Sequence, residues 1–95
     1  MENNMESMKI ILEAVAAMVA KHYGMSLLEA QQWDLSTSVD DEFGWANGAP
    51  VVMWESGPDD WTLDVRELPD ITAYLTPLGL YMSPVNHWCM AIHKI

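Results

Sequence analysis

A single cysteine, Cys89, in 95 residues excludes an internal disulfide, so stability must come from packing, and a reducing compartment, the cytoplasm, is the expected location. Bases are scarce: Lys9, Lys21, Arg66 and Lys94 stand against fourteen carboxylates, for a formal net charge of -10. Four cations cannot neutralise the phosphates that dominate nucleic-acid affinity, and a field of this sign repels a polyanion, which argues against nucleic acid as a direct ligand. Long apolar runs are missing too. The stretch from Ile71 to Ile92 lacks Asp, Glu, Lys and Arg but is broken by Pro77, Gly79, Pro84 and Asn86, whereas a membrane helix needs ~20 predominantly apolar residues in succession. The first residues, Met1-Glu2-Asn3-Asn4-Met5-Glu6, are acidic where a secretory signal is basic, so neither membrane nor export is expected.

What is present is apolar mass. Hydrophobic residues make up 51% of the chain, far above the content of disordered sequences, and the length suits one compact domain over residues 1–95. Eight Met and five Trp fit either an adaptable core or interface anchors.

The apolar spacing predicts an α+β fold, with an N-terminal helix and a short second helix packed on a small antiparallel β-sheet of about four strands. Met8, Ile11, Leu12, Val15, Met18, Val19 and His22 recur at helical spacing between Asn4 and Tyr23. Gly24 then stands where a left-handed cap is needed, and Ser26 with Glu29 matches the capping box of a second helix, about Leu27 to Trp33. Residues 34–50 read as an irregular, exposed connection. Pro50–Glu55 and Trp61–Arg66 read as a hairpin joined by Ser56 to Asp60. Ile71–Leu75 reads as a short helix with Pro69 in its first turn, and Leu80–Ser83 with His87–Lys94 as a final hairpin turning near Pro84, Val85 and Asn86.

No motif for catalysis or metal binding stands out. His87, Cys89 and His93 alternate on one strand, yet the two histidines lie roughly 20 Å apart along it, too far to share one zinc ion. Cys89 lacks the electropositive setting that activates a thiol, and the pairs Asp40/Asp41 and Asp59/Asp60 fall in predicted loops where water solvates them. No EF-hand spacing, phosphate-binding glycine loop or nucleophile elbow occurs, so the chain is expected to be no enzyme and to carry no metal or cofactor.

The acids are not evenly spread. Glu29, Asp34, Asp40, Asp41, Glu42, Glu55, Asp59, Asp60, Asp64, Glu67 and Asp70 share one segment with a single base, Arg66, so this segment alone carries a charge equal to the whole formal net charge of -10. A dense negative patch steers association with a basic surface, and basic surfaces on proteins mostly bind nucleic acid. In size and charge the chain is similar to the nucleic-acid mimics among phage anti-defence proteins, some anti-CRISPR proteins included, and to acidic immunity proteins of nuclease toxins, although it shares no motif with them. The similarity implies an inhibitor that covers the nucleic-acid groove of a basic partner. The expected contact residues are Asp34, Asp40, Asp41, Glu42, Asp59, Asp60 and Asp64, with Phe43, Trp45 and Trp54 as apolar anchors among them. The alternatives are a small-ligand binder with a Met/Trp-lined pocket, or an acidic chaperone. The uncharged C-terminal quarter, with Leu78, Leu80, Tyr81 and Met82, is the expected surface of a homodimer.

Overall fold

The computed structural model describes residues 4–40, 48–54, 68–86 and 89–95, with side chains from Ser7 onward. The expected strand Trp61–Arg66, the Ser56–Asp60 turn, and His87 and Trp88 lie outside the described residues. The fold is α+β: helix α1 (Asn4–His22), helix α2 (Leu27–Gln32), strands β1 (Leu35–Ser38) and β2 (Val51–Trp54), helix α3 (Pro69–Leu75), a 3₁₀ turn (Thr76–Leu78), and strands β3 (Leu80–Asn86) and β4 (Cys89–Lys94). The four strands form one antiparallel sheet in the order β1-β2-β4-β3. Among the described residues no helix is long and apolar enough to cross a membrane.

Helix α1 lies over β1 and β2, and α3 packs on β3, both on the same face of the sheet. Leu12, Val15, Ala16, Val19 and Ala20 form the buried stripe of α1, and the alanines within it let the helix approach the strands closely. Cross-strand partners share a face, so Leu35, Val52, Trp54, Leu80, Met82, Met90 and Ile92 meet the helices. The opposite face is apolar at its centre, where Val51, Met53, Cys89 and Ala91 form a second buried cluster flanked by Ala49 and Val85. The inner strands are therefore apolar along Val51–Trp54 and Cys89–Ile92, the pattern of strands buried on both faces, and β4 turns polar only at His93 and Lys94.

Helix α1 ends in a Schellman arrangement. The Met25 N–H donates to Ala20 O at 3.0 Å and the Gly24 N–H to Lys21 O at 2.9 Å, with Gly24 at φ +74°. Nothing lies within 4 Å of a Cβ added at Gly24. Gly24→Ala thus tests backbone conformation alone, and it is expected to cost ~1 kcal/mol and lower the melting temperature by about 4–8 °C in a calorimetric scan. The expected capping box of α2 is present: the Glu29 N–H donates to Ser26 Oγ at 3.2 Å and the Ser26 N–H to Glu29 Oε1 at 3.4 Å.

Several elements differ from expectation. Strand β1 lies inside the segment read as irregular; its sequence LSTS has one large apolar residue, and pairing with β2 supplies the order that local propensity does not. Strand β2 has β1 on one side and β4 on the other, so it occupies an interior place in the sheet rather than one half of a sequence-local hairpin. Pro84, Val85 and Asn86 belong to β3, with a register shift between Pro84 and Asn86; an edge strand tolerates proline because its outward side needs no N–H donor. His22, placed on the apolar stripe by spacing, is exposed on the last turn of α1. Leu80 and Met82, expected at a surface, retain 6% and 7% exposure and belong to the core.

Candidate partner-binding surface

Three of the ten expected contact residues fall among those described, and they separate. Trp54 does not anchor a partner. It is fully buried because alternation along β2 turns it toward the helices, where Tyr23 meets it edge-to-face with ring centroids 5.3 Å apart and planes at 90°. A side chain with no exposed area has nothing to offer a partner, and Trp54 belongs to the core. Asp34 and Asp40 are exposed, one at each end of β1. Because Leu35 pairs with Trp54 and Ser38 with Val51, these aspartates mark opposite ends of the β1–β2 pair. The connection after Asp40 and the one after Trp54 leave from these two ends. Asp41, Glu42, Phe43, Trp45, Asp59, Asp60 and Asp64 lie in those connections, outside the described residues.

Among the described residues the exposed aromatic beside the acids is Trp33. It caps α2 at 51% exposure, and Leu28, in the first turn of the same helix, is 70% exposed. Of α2 only Ala30 is fully buried, so the helix lies on the body through a narrow stripe and turns Leu28, Glu29, Gln31, Gln32 and Trp33 outward. The sequence signalled only Leu28, which falls off the helical stripe through Leu27 and Ala30; Trp33, three residues after Ala30, falls on it, so spacing does not announce its exposure.

Asp34 follows Trp33 at φ +68°, the only non-glycine residue with positive φ among those described, and its N–H donates to Gln31 O at 3.2 Å. It fills the left-handed position after a helix where glycine is least strained, and it sets a negative charge at the negative end of the helix. Both features oppose stability. Asp34→Gly is therefore expected to hold or raise the melting temperature, by up to ~1 kcal/mol in stability, while weakening a partner that pairs with the carboxylate. A calorimetric scan and a binding titration of the same variant separate the two effects.

Asp40 accepts from Ser38 Oγ at 2.9 Å, and it lines a shallow pocket of about 280 Å³ with Lys9, Thr37, Ser38 and Val39. A larger cleft of about 420 Å³ opens between the end of α1 and the start of α3, lined by Met18, Lys21, His22, Leu68, Pro69, Asp70 and Ile71. Its described lining contains one methionine and no tryptophan, unlike the Met/Trp pocket expected. On the far face of the sheet, Cys89 is fully buried and His93 Nε2 lies 2.9 Å from Ser83 Oγ. Among the described residues no three His, Cys, Asp or Glu come together as metal ligands. Comparisons with protein-family models, curated proteins and solved structures find no match to this chain.

Proposed function

We propose that this chain is a small acidic protein-binding module, acting in the cytoplasm without catalysis, that blocks a basic nucleic-acid-binding protein or nuclease by standing in for the nucleic acid. The observation that carries this reading is the exposed Trp33 directly beside Asp34, with Leu28 and Glu29 exposed earlier on the same short helix and Asp34 held in a left-handed conformation that costs stability. Interfaces of this type join an aromatic anchor to a charged rim, and the anchor holds the complex while the rim steers it. Asp34 and Asp40 would meet Arg and Lys of the partner where phosphates otherwise lie. Asp41, Glu42, Asp59, Asp60 and Asp64, with Phe43 and Trp45 as apolar contacts, are the further residues this reading assigns to the partner, and they lie outside the described residues. Capture of partners on the immobilised protein tests the reading, at low ionic strength and at about 0.5 M salt, where charges further apart than ~4 Å are screened. Recovery at low salt of a basic, nucleic-acid-binding protein that is lost at high salt supports it; recovery of acidic or salt-insensitive partners contradicts it.

The cleft between α1 and α3 favours a second reading, a small-ligand binder, because about 420 Å³ lies within the size range of small-molecule sites. Native mass spectrometry of gently purified protein separates the two, since this reading requires a retained small-molecule mass.

A further inference from the structure

Among the described residues the sheet has two outer strands, β1 and β3. At one edge, β1 is short and polar and has Asp34 and Asp40 at its ends. If two copies paired antiparallel along β1 in a register centred on Thr37, Asp34 of each would face Asp40 of the other, and like charges directly opposed are destabilising. At the other edge, β3 belongs to residues 71–95, which carry one charge in all, that of Lys94. Lys94 pairs across from Leu80, which places a positive side chain beside this edge in a chain of net charge -10.

The same edge carries exposed apolar surface. Leu78 is 49% exposed, Tyr81 47% and Ile95 78%. The Ile95 N–H donates to Gly79 O at 2.9 Å, which brings Ile95 beside the turn that holds Leu78. Tyr81 lies against His93, ring centroids 5.3 Å apart, and one flank of its ring stays open. Pro84 and the register shift that follows it end the regular part of the edge, leaving Leu80–Ser83 as an in-register segment paired on one side with β4 and, among the described residues, with no strand on the other.

We infer that the occupant of this edge is a second copy of the chain, with the two β3 strands antiparallel about a two-fold axis and their sheets continuous across it. A two-fold contact brings each patch against itself, so it requires a surface that does not repel itself, and the neutral β3 edge meets that requirement where the acid-flanked β1 edge does not. The axis places Tyr81, Leu78 and Ile95 of both copies together and leaves Trp33, Asp34 and Asp40 outside the contact.

Light scattering over about 1–500 µM, a range in which small interfaces dissociate, tests the inference. The mass is expected to rise from 10.7 kDa toward twice that value with concentration. Tyr81→Lys and Leu78→Lys, both at exposed positions, are each expected to weaken the dimer at least tenfold with the circular dichroism spectrum and melting temperature retained. Ser36→Lys, on the other edge, is expected to leave it intact. A mass of 10.7 kDa at every concentration overturns the inference. So does a dimer of undiminished affinity in both the Tyr81→Lys and Leu78→Lys variants, or one lost only in Ser36→Lys.

Discussion

Trp54→Ala is expected to remove ~3–5 kcal/mol of folding stability, the range for truncating a large aromatic in a close-packed core. Trp54 has no exposed surface, it lies in an inner strand with neighbours on both sides, and its ring is the partner of Tyr23 at the end of α1. Its removal opens a cavity where the sheet meets the helix that covers it. For a domain of this size each kcal/mol corresponds to about 4–8 °C in melting temperature, so the loss is a large part of a total that is typically ~5–15 kcal/mol. Urea denaturation followed by circular dichroism measures it. Trp54→Phe keeps a ring against Tyr23 and is expected to lose clearly less. A Trp54→Ala protein within about 1 kcal/mol of the parent, a shift ordinary for surface changes, contradicts the placement of this residue in the core.

The second large effect concerns binding. Trp33→Ala is expected to raise the dissociation constant for the basic partner at least ~30-fold, about 2 kcal/mol, chiefly through faster dissociation, while stability changes by no more than ~0.5 kcal/mol. The two readouts diverge because Trp33 is half exposed at a helix end, and the body of the protein depends little on it. Asp34→Lys combined with Asp40→Lys should act differently, slowing association and flattening its salt dependence, because charge at the rim governs encounter more than residence. Surface plasmon resonance resolves both rates. An unchanged dissociation rate in Trp33→Ala removes this residue as an anchor.

The elements legible in the sequence were those with a local cause. The stripe and the Gly24 cap identify α1, Ser26 and Glu29 open α2, and Pro69 with Ile71 and Leu75 identifies α3. The elements that escaped depend on distant partners. LSTS becomes β1 only because β2 offers an edge, and Pro84 is held in β3, which among the described residues has no strand on its outward side. The same limit applies to the surface. The local run VVMW says that Trp54 lies in a strand, and only the sheet order shows that both sides of that strand are occupied. Trp33 looked like the last turn of a helix, and its exposure follows from how little of α2 is buried. The left-handed backbone of Asp34 comes from the direct passage of α2 into β1, which no composition rule anticipates.

Competition bears most directly on the central claim that the acidic surface occupies a nucleic-acid groove. The dissociation constant of this chain for its captured basic partner is measured at fixed low salt with increasing duplex DNA or RNA. The account predicts an apparent dissociation constant that climbs in proportion to the nucleic acid added, and displacement of bound nucleic acid by the chain. A ternary complex, with affinity unchanged at saturating nucleic acid, would contradict it.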